Sequence, residues 1–350
     1  MLFLVSGVQS PYSRFGFAIV QSIARTVYGD VQAGNFAQLE KFYEAYKQRK
    51  SDVFVAFIHA GDNRVPTLLQ RTQYKVVLFS DGLAQAVGMV MARQGISFRA
   101  SSRRATLAFS TMHFLSETTS SVLYPPPDAT SLFLPLVRSL AWHYGIEPDG
   151  AFIANVVASL GLEGVTASTT VLEAMTKHSA DYDDVNAVLQ SLTDDDLAML
   201  EVLQQSYGSR APLDDGTTLL WPVEALLDPI KRDEAFRSPV DMTGRARRLA
   251  GGPGYHLPPG DWLVEVVVSV AENGSGNKLL VSVTDGRHTS SKIEMALAAD
   301  GRYATTLSFT VEDPSRPTGI AFDMREGAIE GKFSVQSIRL RRTHRRDRLE

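Results

Sequence analysis

Apolar residues run without a break from Leu2 to Val5 and stop at Ser6-Gly7. Such a run predicts a strand buried on both faces, as in the interior of a parallel sheet. A loop, Gly7 to Gly16, follows, and Phe17–Thr26 predicts a helix. Phe36, Leu39, Phe42, Tyr43 and Tyr46 recur at helical spacing, so Phe36–Lys50 predicts an amphipathic helix. Val53–Ile58 and Lys75–Phe79 predict two more buried strands, ending at His59-Ala60-Gly61 and Ser80-Asp81-Gly82, and Leu83–Gln94 predicts a helix. Strands separated by helices imply a parallel sheet with right-handed crossovers. Ligands of such sheets gather beyond the carboxyl ends of the strands.

The texture changes twice further along. Pro125-Pro126-Pro127 breaks the first pattern, and residues 126–235 read as mostly helical. Ser131–Tyr144, Gly150–Leu160, Ser168–Thr176, Tyr182–Leu189 and Asp194–Tyr207 carry helical apolar spacing. Thr193 before Asp194-Asp195-Asp196 reads as a helix cap with a first turn of carboxylates rather than as a metal site. From residue 243 the chain alternates apolar and polar residues between turn clusters. Strands are expected at Asp261–Ala271, Lys278–Asp285, Lys292–Ala298, Tyr303–Glu312, Thr318–Arg325 and Lys332–Arg341. That spacing predicts an antiparallel, jelly-roll-like β-sandwich. The fold class is therefore α/β, a parallel sheet with flanking helices and a helical extension, followed by the sandwich. The expected domains are 1–242 and 243–342, with Arg245–Gly254 as linker and 343–350 as a basic tail.

Composition narrows the function classes. At 350 residues the chain exceeds one ordinary core. A net charge of -4 gives no reason to expect nucleic acid as a partner. The absence of cysteine excludes disulfides, thiolate metal ligation and a cysteine nucleophile. No positive region precedes the short run Leu2–Val5, and no stretch is long enough to span a membrane, so a cytoplasmic location is expected. His113, His143 and His178 have unrelated spacing, and no metal is expected. No G-x-S-x-G element supports a serine hydrolase.

The first loop carries the candidate chemistry. A strand entering a loop and a helix N-terminus favours an anion, through free N–H groups and the helix dipole. The loop has neither the G-x-x-x-x-G-K-[ST] nor the G-x-G-x-x-G pattern. Three segments, Leu4–Gly7 through Arg14-Phe15-Gly16, Val55–His59, and Val76–Gly82 through Gly88, resemble the bacterial sulfotransferase family. Those enzymes have a P-loop-like fold and transfer a sulfuryl group from 3′-phosphoadenosine 5′-phosphosulfate (PAPS). The resemblance implies PAPS or a related phosphorylated nucleotide as cofactor. It places Ser6, Gly7, Ser10, Ser13, Arg14, Gly16 and Ser80 around it, with Arg103 and Arg104 as a clamp for the 3′-phosphate. It makes His59 the catalytic base towards an acceptor hydroxyl. The family's Pro-Arg in the loop is Gln9-Ser10 here, its strand-end Arg is Ser80, and its later Ser is Gly88. Losing that Arg removes a bidentate, permanently charged anion ligand.

Gly252–Trp262, leading into the first long strand, resembles the β-sandwich modules appended to bacterial polysaccharide enzymes. That resemblance implies a saccharide partner, with Tyr255 and Trp262 as flat faces for a sugar ring; core packing is the competing use of both rings. A protein partner and a homo-oligomer stay open. Two functions follow: a variant or degenerate sulfotransferase-like nucleotide-binding protein acting on or alongside bacterial surface polysaccharide, or a non-catalytic scaffold or glycan-binding protein that keeps the fold alone.

Overall fold

The computed structural model describes the chain except residues 62–63, 73, 117–119, 209–215, 231–233, 287 and 345–350, so most of the expected basic tail lies outside the described residues. The chain forms two compact units, Met1–Leu192 and Thr193–Glu350.

The first unit is built on five parallel strands: β1 (Leu2–Gly7), β2 (Gln32–Phe36), β3 (Phe54–His59), β4 (Val76–Phe79) and β5 (Ser121–Tyr124). Their order is β2-β3-β1-β4-β5. From β1 the chain goes to the edge strand β2, returns to β3 beside β1, and then crosses to β4 and β5 on the other side, which puts the topological switch beside the carboxyl end of β1. The helices are α1 (Pro11–Tyr28), α2 (Leu39–Lys47), α3 (Arg64–Thr72), α4 (Leu83–Gln94), α5 (Phe98–Ser116), α6 (Phe133–His143), α7 (Gly150–Ser159), α8 (Val171–His178) and α9 (Asp181–Gln190). Phe3, Val5, Val55, Phe57, Val77 and Phe79 turn one face of the sheet into a core shared with Phe15, Ile19 and Phe133. Phe15 stacks on Phe133 with ring centroids 5.6 Å apart.

Four elements depart from the sequence expectation. α1 starts at Pro11, not Phe17: Ser10 caps it by accepting from the Ser13 N–H at 3.1 Å, and Pro11 takes the first turn. The expected helix from Phe36 begins at Leu39, because Gln32–Phe36 pairs with β3 as an edge strand. β5 adds the opposite edge, and α5, a helix the apolar pattern does not mark, holds the basic run Arg99–Arg104.

Gly88 on α4 lies against α9. A Cβ there would meet Val185 Cγ1 at 2.7 Å and Leu189 Cγ at 3.1 Å. Gly88→Ala is therefore expected to destabilise the first unit by roughly 2 kcal/mol through overpacking, read as a lower urea midpoint at unchanged slope.

The second unit opens with α10 (Asp194–Tyr207), capped by Thr193. Eight β-strand pieces of this unit pair further along: β6 (Thr218–Trp221), β7 (Val240–Asp241), β8 (Arg248–Tyr255), β9 (Gly260–Ala271), β10 (Asn277–Asp285), β11 (His288–Leu297), β12 (Gly301–Val311) and β13 (Thr318–Met324). The last strand is β14 (Lys332–His344). Two antiparallel sheets result, β11-β10-β13-β8 and β12-β9-β14-β6, with β7 paired to β14. Phe322 of one sheet and Phe333 of the other meet at 5.6 Å in the core between them. The segment expected as linker is thus largely β8, which pairs with β13 from Arg248 to Tyr255.

Candidate functional site

The N-terminus of α1 is where the sequence places an anion. α1 has no acidic residue in its first turn, so its positive end has no carboxylate of its own helix. Asp81, just beyond β4, supplies one. Its carboxylate accepts from the Gly82 N–H at 2.8 Å, and the Ser10 hydroxyl and the Tyr12 N–H face it from the start of α1 and favour its charged form. Asp81 is only 7% exposed. Burial raises its pKa to about 6, against the lowering effect of those three donors. The positive end of α1 is thereby faced by the protein's own carboxylate.

The expected hydroxyl ligands turn inward. Ser6 Oγ donates to the Ile58 carbonyl at 2.7 Å, and Ser13 Oγ donates to the Phe79 carbonyl at 3.2 Å. Ser80 is buried, its N–H bonded to the Tyr124 carbonyl at 2.9 Å. Gly16 is a packing glycine: a Cβ there would lie 2.3 Å from the Phe79 ring. A Cβ on Gly7 would lie 2.4 Å from the Phe79 carbonyl oxygen, so close strand packing explains that glycine too.

Beyond β1 and β3 a cleft of about 290 Å³ does bring candidates together. Gly7 and His59 are register partners at the carboxyl ends of β1 and β3 and line the cleft with Gln9, Gln94 and Arg104. Alanines and Gly61 form much of the remaining wall. Gln94 Nε2 donates to Gln9 Oε1 at 3.2 Å. His59 lies edge-on to Phe57, ring centroids 5.3 Å apart, and burial lowers its pKa to about 4. It is a neutral imidazole at physiological pH and a weak base, well below the value that suits proton abstraction near neutrality. Arg103 stands one residue from Arg104 on α5 and does not line this cleft.

Arg14 points elsewhere. Its guanidinium pairs with Asp181 of α9 at 3.0 Å, at a different cleft. Asp181 and Asp81 were both missed as site residues. The sequence signal for Asp81 was a carboxylate directly after a strand end, facing a helix without first-turn acids; a distant partner such as Asp181 leaves no local signal.

In the sandwich, Trp262 is 0% and Tyr255 3% exposed. Trp262 Nε1 donates to the Pro258 carbonyl at 3.1 Å, and Tyr255 packs edge-on against Trp221. Neither offers a ring face to a sugar, because both are core residues. The surface feature is instead a groove across β8, β13, β10 and β11. Two adjoining hollows, about 510 and 420 Å³, share Arg248 and Asp323. These two form a bidentate pair, Nε to Oδ1 at 2.9 Å and a second nitrogen to Oδ2 at 3.3 Å. Ser282, Ser291 and Lys292 continue the polar lining.

Among the described residues, no group of three or more His, Asp or Glu side chains is placed to hold a metal ion, and no helix is long and apolar enough to cross a membrane. No protein-family model and no curated protein matches the sequence. Solved structures with similar folds include a mouse sulfotransferase complexed with PAP, at 12% identity and TM-score 0.39, covering 57% of this chain and 81% of that one. The carbohydrate-binding module TmCBM61 with β-1,4-galactotriose is similar at 14% identity and TM-score 0.24, over 33% of this chain and 80% of that one. A xylan-binding CBM22-1 domain from Paenibacillus barcinonensis Xyn10C is similar at 11% identity and TM-score 0.23, over 37% and 90%.

Proposed function

We propose that this chain is a saccharide-binding protein whose α/β unit is a scaffold that no longer holds a phosphosulfate. The observation that carries this reading is the Asp81 carboxylate on the N-terminus of α1. A phosphate arriving there meets a buried acid that faces Tyr12 and Ser10 and is bonded to the Gly82 N–H, and two negative charges at that spacing repel. The inward turn of Ser6 and Ser13, the diversion of Arg14 to Asp181 and the weak basicity of His59 support the same reading.

Saccharide binding falls to the sandwich groove. Four strands at about 4.8 Å spacing give it a length of roughly 14 Å between the outer strands, enough for a short oligosaccharide. The planar Arg248–Asp323 pair presents donors and acceptors of fixed direction, as neighbouring sugar hydroxyls require.

The test has two arms. Thermal unfolding with millimolar adenosine 3′,5′-bisphosphate is expected to show no shift. A nucleotide present at a hundred times its dissociation constant would add about 2.7 kcal/mol, and a rise of that order overturns the scaffold reading. In the second arm, binding to immobilised oligosaccharides is expected for the wild type and lost in Arg248→Ala. Equal retention of both proteins on the array removes the groove as the sugar site.

A further inference from the structure

A second cleft in the α/β unit, about 320 Å³, shares no residue with the one at Gly7 and His59. Phe17, Phe57 and Tyr182 contribute an apolar wall, and Arg14, His178, Ser179 and Asp181, the carboxylate paired with Arg14, a polar one. Its size is that of a small-molecule site, and its mix of an apolar wall with a few convergent polar groups is what such sites show.

The charge balance beside it is uneven. Asp181 is buried, with a side chain 7% exposed, and it receives two guanidiniums, Arg14 at 3.0 Å and Arg93. Both arginines are half exposed. One carboxylate against two guanidiniums leaves a net positive charge. Burial first, and repulsion from Arg93 second, hold the Arg14 pKa below its usual value. An incoming anion on Arg14 would relieve that repulsion. His178 adds direction: its Nδ1 lies 3.1 Å from the Leu160 carbonyl oxygen, which can only accept, so Nδ1 carries the proton. In the neutral ring Nε2 is then an acceptor.

We infer that this cleft binds a small organic acid, its carboxylate on Arg14 and its apolar or aromatic body against Phe17, Phe57 and Tyr182. An inorganic anion would satisfy the guanidinium and leave the apolar wall uncovered. The inference shares the Arg14–Asp181 pair with the scaffold reading but needs neither Asp81 nor the sandwich groove, so either can fail alone.

Ligand-observed NMR with benzoate and phenylacetate tests it on the full chain, with acetate and inorganic phosphate as comparisons. Saturable binding of both aryl acids is expected, with acetate and phosphate weaker. Arg14→Gln should weaken aryl-acid binding about tenfold or more, the worth of one charge-assisted bidentate contact. Asp181→Asn should tighten it, because both guanidiniums lose their shared counter-ion. If that variant does not fold, Arg93→Gln gives the opposite sign, since Asp181 then neutralises Arg14 alone and binding weakens. No saturable binding, binding indifferent to Arg14→Gln, or phosphate binding as tightly as benzoate would each overturn the assignment.

Discussion

Asp81→Asn is expected to make the protein more stable at pH 8, by about 3 kcal/mol, and no more stable below pH 4. The direction follows from linkage. Burial raises the Asp81 pKa from 3.8 to about 6, so the folded state binds this proton more tightly than the unfolded one. Stability from this group is therefore greatest below the unfolded value, falls as pH rises through roughly 4 to 6, and is flat above. About two units at 1.36 kcal/mol each give the size of the loss. Asn keeps an acceptor oxygen for the N–H groups of Gly82 and Tyr12 but carries no charge to desolvate. Urea unfolding of both proteins at pH 4 and pH 8 measures it, followed through the α/β unit. If Asp81→Asn is less stable at pH 8, the helix dipole outweighs desolvation and the ionised carboxylate is a true cap.

What the sequence made legible was whatever is encoded within a few residues. Continuous apolar runs located β1, β3 and β4, and Thr193 with three aspartates located the start of α10. The antiparallel strands after Asp261 were readable because turn clusters separate them and several alternate between core and water, as β9 does up to Glu265. The misses share a cause. Gln32–Phe36 is short, polar and half-buried, so it carries no strand pattern, yet β3 pairs with it at an edge. α5 hides its helical face among buried Ser101, Ser102, Thr106 and Ser110, which a hydrophobic count reads as loop. Arg245–Gly254 looked like a linker because its glycines and proline suggest turns; partners about seventy residues away make most of it strand β8. The same limit holds at the candidate site: Gly7 and His59 end strands that the sequence marks, whereas the pairing of Arg14 with Asp181, 167 residues away, leaves no local pattern.

Trp262→Ala is expected to be the most damaging single change in the sandwich, at about 3–5 kcal/mol. Trp262 is fully buried on β9, between register partners Phe309 on β12 and Arg342 on β14. Removing the indole opens a cavity that two paired strands cannot close and strands the Pro258 carbonyl that its N–H satisfies. Trp262→Phe keeps most of the volume and loses only the hydrogen bond, so it should fall well short of the Ala variant. Denaturant unfolding followed through the sandwich checks the order. The same pair separates the two uses of an aromatic residue. If Trp262 served a sugar, saccharide binding would vanish in both variants while folded protein remained. A core role predicts instead that affinity per folded molecule is unchanged in Trp262→Phe, and that it responds to Arg248, which lies on the groove, rather than to a ring that no sugar can reach.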